Sequence, residues 1–249
     1  MNPRAQITLP VVDLLRHPDG PRDRQVLFGE TFELLEVDNG WRHIRADKDG
    51  FTGFVPESCL GPVTPATHWI SAASTHVYAR ADLKSPDLMA LGFGSLITAI
   101  SLADGYVRTS QGFIPAPHVT PNGTHLSDPV DVARLFMGTP YLWGGNSRWG
   151  IDCSGLVQAA YVACGQSCPG DSGMQMDALG PELPPGSEPQ RNDLLFFKGH
   201  VAMVYDPDTL LHANAMHMAV SFEPLHPTLA RIEAQGDGKV IRHVRPLPK

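Results

Sequence analysis

The first 120 residues contain short segments in which apolar and polar residues alternate, as in Thr-Phe-Glu-Leu at 31–34. Glycine-containing turns separate these segments about every ten residues, which is typical of proteins built from short strands. Successive side chains of a strand point to opposite faces, so each segment has one face suited to a hydrophobic core. The pattern predicts small antiparallel β-barrels.

Part of this pattern occurs twice. Two residue pairs recur at one common offset, Phe28-Gly29 as Phe93-Gly94 and Gly40-Trp41 as Gly105-Tyr106. The segment Gly-Phe-Val-Pro at 53–56 recurs at a shorter offset as Gly-Phe-Ile-Pro at 112–115, so we expect a hairpin loop at 46–52 that is shortened in the second copy. Internal similarity favours two barrels of one kind. A single larger β-sandwich is the alternative.

Beyond residue 120 the pattern changes to helices followed by strands. Asp128 and Pro129 are typical of a helix N-cap and first helical position, and Gly138 is expected to end this helix. A second helix is predicted over 154–163, before Gly165. Short turns then separate apolar segments that predict a strand meander at 194–197, 201–205 and 209–213. Helices before an antiparallel sheet indicate the α+β class for this region.

Proline-bearing segments near 61–68 and 115–125 are typical of connections between folded regions. The sequence therefore predicts three domains, with bounds 1–62, 63–120 and 121–249.

Composition narrows the possible functions. The 24 glycines and 23 prolines suit short strands and tight turns. With 26 acidic and 19 basic side chains the formal charge is −7, so binding to nucleic acid or to an anionic membrane surface is not expected. No run approaches the roughly 20 apolar residues of a membrane helix, and the N-terminus lacks the pattern of a secretory leader. We therefore expect a cytoplasmic protein without membrane insertion, whose four cysteines are reduced.

Candidate chemistry centres on a glycine-punctuated loop at 140–155, which brings Cys153 to the start of the second predicted helix. The free amides and positive dipole end of a helix N-terminus stabilise a thiolate, and the Cys153 amide is placed to donate to an oxyanion. His200 begins a predicted strand and His212 lies on the next one, so antiparallel pairing can bring the two rings together. Cys153 would then attack, His200 would exchange the proton, and His212 would orient His200. Activity should fall at acid pH as His200 becomes protonated.

Three segments carry a resemblance to a known family. They are YLWGGNSRWGIDCSGLV at 141–157, DLLFFKGHVAMVY at 193–205 and LLHANA at 210–215. In this order they resemble the nucleophile, base and orienter motifs of NlpC-type cysteine peptidases, bacterial papain-like enzymes that cut cell-wall peptides. The resemblance implies an α+β protein in which two small bacterial SH3-like β-barrels precede a circularly rearranged papain-like peptidase domain.

This domain order is similar to that of the recycling γ-D-glutamyl-L-diamino-acid endopeptidases of the dipeptidyl-peptidase VI type. The similarity implies hydrolysis of the bond from D-Glu to meso-diaminopimelate or L-Lys, through a Cys153 acyl-enzyme. The implied substrates are peptidoglycan-derived tri- or tetrapeptides with a free N-terminal L-Ala. No metal or other cofactor is implied.

By motif position the resemblance gives Tyr141 the role of a hydroxyl donor near the oxyanion. It gives Glu30 the role of meeting the substrate ammonium. Related first barrels often have tyrosine where this chain has Phe51, which would form an apolar wall for the alanine methyl group. The full set of implied substrate-binding residues is Asp152, Ser154, Asp171, Ser172, Glu30 and Phe51.

Simpler roles compete with several of these assignments. Asp152 fits a helix N-cap equally well, and Glu30 fits a solvated strand face. Cys164 and Cys168 are interpreted as structural thiols rather than zinc ligands, because no second cysteine or histidine pair accompanies them. For the whole chain, the alternatives are a non-catalytic protein that binds cell-wall peptides, and an amidase or acyltransferase with the same cysteine nucleophile.

Overall fold

The computed structural model describes residues 3–236 and 238–246. These residues divide into two compact units. Unit 1 contains the residues up to Thr124 together with Asn146–Arg148. Unit 2 contains His125–Gly145 and the residues from Trp149 onward.

Unit 1 begins with a seven-stranded antiparallel sheet of order β3-β2-β6-β5-β4-β1-β7. A short 3-10 helix, Glu57–Cys59, precedes its last strand. The sheet encloses a core that includes Ile7, Phe32, Ile44 and Val55, all fully buried. The strands are β1 (Arg4–Ile7), β2 (Val11–Leu15), β3 (Arg22–Leu27), β4 (Thr31–Asp38), β5 (Trp41–Ala46), β6 (Thr52–Pro56) and β7 (Leu60–Gly61).

The remaining strands of unit 1 before Thr124 form two further sheets, with orders β10-β9-β14-β13-β12 and β11-β8-β15. A second 3-10 helix, Ala116–His118, precedes the last of these strands. The strands are β8 (His68–Ile70), β9 (Ser74–Tyr78), β10 (Asp87–Gly92), β11 (Leu96–Ile97), β12 (Ser101–Ala103), β13 (Tyr106–Arg108), β14 (Phe113–Pro115) and β15 (Val119–Pro121).

The two copies of the sequence repeat occupy equivalent places. The segments at 53–56 and 112–115 contribute to β6 and β14, and their central residues Val55 and Ile114 are fully buried in two different core clusters. A hairpin connection follows β5, as predicted. The second copy is shorter mainly because β13 has 3 residues where β5 has 6, so the strand rather than the loop alone accounts for the difference.

Unit 2 contains a five-stranded antiparallel sheet of order β21-β20-β19-β18-β22. Before it come α1 (Pro129–Arg134), β17 (Gly150–Ile151), α2 (Cys153–Ala163) and α3 (Ser172–Ala178), whereas the short strand β16 (Asn146–Ser147) belongs to unit 1. The other elements are β18 (Leu194–Phe197), β19 (His200–Asp206), β20 (Thr209–Asn214), β21 (Ala219–Pro224), α4 (Leu225–Ala234) and β22 (Arg242–Val244). Helix α2 packs against β19 and β20.

Local sequence features explain the helix starts. The Asp128 side chain accepts the Val130 N–H at 2.9 Å, which confirms it as the N-cap of α1. This helix ends at Arg134, earlier than the predicted stop at Gly138, because the intervening residues form turns. Helix α2 starts at Cys153, one residue before the prediction, and ends before Gly165, whose φ is +77°.

The predicted strand meander is confirmed as β18, β19 and β20. The sheet also contains β21 and β22, and α4 follows β21, none of which the sequence pattern predicted. The domain bounds at 62/63 and 120/121 stay predictions. Within the described residues, no helix is both long enough and apolar enough to cross a membrane.

Candidate active site

Asp152 fixes the start of α2. Its Oδ1 atom accepts the Gly155 N–H at 2.7 Å and the Ser154 hydroxyl at 3.1 Å, and its Oδ2 atom accepts the Gly144 N–H at 2.8 Å. Its backbone is extended, as an N-cap requires. Asp152 thus ties the glycine loop to the helix and holds Cys153 at the first helical position.

Cys153 lies buried between α2 and the sheet. Cys153 is only 6% exposed. Burial, and after it the charge of Asp152, raises the pKa of its thiol to about 12. The backbone N–H groups of Val201 and Ser154 donate towards the sulfur and lower the pKa of the thiol, against the effect of burial. Because Val201 follows His200 in β19, the sulfur lies beside the strand that carries the predicted base.

The two predicted imidazoles are in direct contact. His200 Nε2 and His212 Nδ1 are 2.8 Å apart, and the ring centroids are separated by 5.1 Å. His212 is buried on β20 and is 1% exposed. The structure therefore places the two imidazoles in contact and the Cys153 sulfur beside Val201, the residue that follows His200. The catalytic roles of the three residues stay predictions.

The chain of polar contacts continues beyond His212. His212 Nε2 lies 2.7 Å from Glu223 Oε2, and Arg231 donates to the same oxygen from Nη2 at 2.6 Å. The half-exposed His217 places its Nε2 atom 3.4 Å from Glu223 Oε1. Glu223 comes from β21 and Arg231 from α4, two elements that the sequence pattern did not predict.

Burial favours the neutral form of both histidines, whereas the partners of Glu223 favour its charged form. Burial first, and then the neighbouring His212 and Arg231, lower the pKa of His200 to about 3. Burial also lowers the pKa of His212, against the opposing effect of Glu223. The contact with His212 and the guanidinium of Arg231 outweigh burial and lower the pKa of Glu223 to about 2.

These values differ from the expected thiolate at the helix N-terminus. Burial disfavours a single charge on either Cys153 or His200, and it outweighs the helix amides that donate to the sulfur. Burial therefore favours the neutral forms of the thiol and of the imidazole.

A cavity of about 370 Å³ opens beside the two imidazoles. Tyr141 lines it together with His200 and His212, and burial, followed by the charges of Cys153 and Asp152, raises the pKa of its phenol. The phenol is thus a protonated hydrogen-bond donor at neutral pH. The other lining residues are Lys198, Gly199, Asn214, Ala215, Met216, Arg231, Ile232 and Gln235.

Three other predicted substrate-binding residues lie at helix starts. Ser154 follows Cys153 in α2, and its carbonyl oxygen accepts the Gln175 side-chain N–H from α3 at 2.8 Å. Asp171 is the N-cap of α3 and accepts the Gly173 N–H at 2.8 Å, and Ser172 is the first residue of that helix. Ser154 and Asp171 thus have local structural contacts, and the roles of all three residues in substrate binding stay predictions.

Glu30 and Phe51 belong to unit 1. Glu30 is buried and forms an ion pair with Lys48, so it is not the solvated strand residue of the simpler interpretation. Phe51 packs against the first barrel's core, with the Arg24 guanidinium 4.9 Å from its ring centroid. Their predicted roles towards substrate stay predictions.

The four cysteines are free thiols. Burial raises the pKa of Cys164 to about 11, with a smaller contribution from Asp128. Within residues 3–236 and 238–246, no group of three or more histidine, cysteine, aspartate or glutamate side chains is arranged to hold a metal ion.

Comparison with known families decides what kind of domain carries this site. Residues 138–232 match the NlpC/P60 family, and this range includes Cys153, both imidazoles, Glu223 and Arg231. The chain carries an NlpC/P60 peptidase domain. Residues 14–60 match the bacterial dipeptidyl-peptidase SH3 domain, so an SH3-like domain precedes the NlpC/P60 domain. The predicted fold class, α+β with SH3-like barrel structure and a papain-like peptidase domain, is confirmed.

Two relatives resemble most of the chain. The γ-D-glutamyl-L-lysine dipeptidyl-peptidase of Bacillus subtilis is 28% identical over 232 residues, which cover 82% of this chain and 76% of the relative. Dipeptidyl-peptidase 6 of Lysinibacillus sphaericus is 28% identical over 217 residues, with coverage of 76% and 79%. Both relatives thus align well beyond the NlpC/P60 domain alone.

One solved structure shares the whole fold. The crystal structure of an NlpC/P60 family protein from Bacillus cereus superposes with a TM-score of 0.83 and covers 99% of this chain and 100% of the other. The two sequences are 20% identical, so the comparison concerns the fold.

Proposed function

We propose that this NlpC/P60 peptidase hydrolyses the bond between the γ-carboxyl group of D-Glu and an L-diamino acid, in cell-wall peptides that begin with a free L-Ala. The observation that carries the chemistry is the contact between His200 and His212 next to the buried sulfur of Cys153. The names of the two relatives, a γ-D-glutamyl-L-lysine dipeptidyl-peptidase and dipeptidyl-peptidase 6, support the substrate class.

In the first step, Cys153 Sγ attacks the γ-carbonyl carbon while its proton passes to His200 Nδ1. The Cys153 N–H and the Tyr141 hydroxyl donate to the oxygen that becomes negative. The intermediate then collapses, the C–N bond breaks, and the proton on His200 moves to the leaving amine. This step leaves an L-Ala-γ-D-Glu thioester on Cys153 and releases a peptide that begins with the diamino acid.

In the second step, water attacks the thioester carbonyl. His200 takes a proton from the water, and the C–S bond breaks as Cys153 recovers a proton from His200. The products are L-Ala-D-Glu and the regenerated thiol. His212 holds the His200 ring in place throughout.

The experiment is mass spectrometry of products from a panel of peptides L-Ala-γ-D-Glu-X, where X is L-Lys or meso-diaminopimelate. We expect L-Ala-D-Glu and free X as the only products. N-acetylation of the alanine should lower kcat/KM, because a charged hydrogen bond to the ammonium contributes about 1.5–3 kcal/mol. Cleavage at another bond contradicts the proposal. Binding without cleavage supports the peptide-binding alternative, and transfer to an added amine supports the acyltransferase.

We also propose that the enzyme recycles peptides already released from the cell wall, in the cytoplasm. The free L-Ala terminus of the proposed substrate fits this role, because intact wall peptides are linked through that nitrogen. Cell fractionation with an antibody against the chain tests the location. Recovery of the protein outside the cytoplasmic fraction contradicts it.

A further inference from the structure

The buried polar row behind the candidate base contains more groups than a cysteine peptidase mechanism uses. From His200 it runs through His212 to Glu223, with contacts of 2.8 and 2.7 Å. Arg231 completes the row with a contact of 2.6 Å to the same Glu223 oxygen. Four groups from three strands and a helix are therefore arranged in series.

Hydrogen-bond chemistry restricts which nitrogen atoms in this row can carry a proton. An ionised carboxylate only accepts hydrogen bonds, and a neutral imidazole carries one N–H and one bare nitrogen. Arg231 donates to Glu223 and keeps it ionised, so His212 must place its proton on Nε2, facing the carboxylate. The bare Nδ1 of His212 must then accept the proton on His200 Nε2.

The tautomer of His200 determines which of its ring nitrogens can accept the proton of Cys153. With its proton on Nε2, His200 has a bare Nδ1, which is the ring nitrogen nearer to the main chain. The Cys153 sulfur lies against the N–H of Val201, the next residue of that main chain. The nitrogen left without a proton is thus the one placed to accept the proton of Cys153.

We propose that Glu223 is a positioning residue that sets the tautomers of His212 and His200 in sequence and so leaves His200 Nδ1 free to act as the base. The proposal rests on the function proposed above for Cys153 and His200. The charged and titratable groups around His212 are His200, Glu223, Arg231 and His217, and among the described residues Glu223 is the group that accepts at Nε2.

Glu223→Leu tests this proposal. It removes the Oε2 atom that His212 Nε2 and Arg231 share and leaves the donor Arg231 on that side of the ring, so His212 Nε2 should lose its proton. Both imidazoles would then change tautomer, and His200 would present an N–H to the sulfur. We expect kcat to fall by about 10²–10⁴-fold while KM changes little, as when a catalytic histidine has the wrong tautomer. Glu223→Gln can keep an oxygen at the shared position and should retain a higher kcat than Glu223→Leu.

The matched control is Glu233→Leu on α4. Glu233 is exposed and pairs with Lys239 at an N···O distance of 3.5 Å. The same chemical change should leave kcat and KM at the wild-type values. A fall in kcat for both variants would show that the effect of Glu223→Leu does not depend on its position.

Nitrogen NMR of ¹⁵N-histidine-labelled protein without substrate reports the tautomers directly, and His200→Gln and His212→Gln variants assign the signals. We expect protonated Nε2 and bare Nδ1 on both rings in the wild type, and the reverse in Glu223→Leu. A proton on His212 Nδ1 in the wild type overturns the proposal, even if no variant folds. Unchanged tautomers and unchanged kcat in folded Glu223→Leu also overturn it. Correct tautomers in a wild-type protein that cleaves no peptide would instead contradict the proposed function.

Discussion

At the scale of single residues, burial decides the protonation states of the site. The sulfur of Cys153 and the ring of His200 are both removed from water, which raises the pKa of the thiol and lowers that of the imidazole. The sequence predicted a thiolate at Cys153, because a helix start is visible in a sequence and burial is not. Burial instead favours the neutral thiol until substrate is attacked.

The pH dependence of kcat/KM follows from the same burial. A lowered pKa means that His200 stays an unprotonated base to lower pH, so activity should persist below 6.5, the ordinary pKa of histidine, and fall only under more acidic conditions. This revises the expected fall through the usual histidine range. The measurement is kcat/KM from about pH 8 to about pH 4, with circular dichroism at each pH as the control for folding. A half-maximal point at pH 6.5 or above would contradict the account.

At the scale of elements, features confined to neighbouring residues were predictable. Asp128 and Asp152 stand directly before α1 and α2, so the helix starts follow from adjacent side chains. Glu223 was not predictable in the same way. It faces His212 only because β20 pairs with β21 in one register, with His212 opposite Ser221, and α4 then brings Arg231 to it. Strand register and helix docking depend on tertiary packing that a local pattern does not contain.

The Asp152 cap gives a prediction for α2. Asp152→Ala removes the acceptor of the Gly155 N–H and should lower the free energy of unfolding by about 0.5–2 kcal/mol. Asp152→Asn retains a side-chain oxygen and should lose less. Urea unfolding followed by circular dichroism measures both. Equal losses for Ala and Asn would show that the charge of Asp152, rather than its capping oxygen, stabilises the helix start.

At the scale of the whole molecule, the candidate catalytic residues and the SH3-like domain belong to different units. Cys153, His200, His212, Glu223 and Arg231 all belong to unit 2, whereas the residues that match the SH3 domain belong to unit 1. The change of pattern after residue 120 lies close to the division at Thr124. The repeated segments around Val55 and Ile114 enter separate core clusters. The three predicted domain ranges stay predictions.

The central claim is that Cys153 is the nucleophile of a peptidase. Its most direct test is hydrolysis of L-Ala-γ-D-Glu-L-Lys by Cys153→Ala, with Cys164→Ala as the control at the other end of the same helix. Both variants should fold with wild-type circular dichroism. We predict that Cys153→Ala lowers kcat by at least about 10⁴-fold and that Cys164→Ala retains wild-type kcat. Turnover by Cys153→Ala within about tenfold of the wild type would contradict the account.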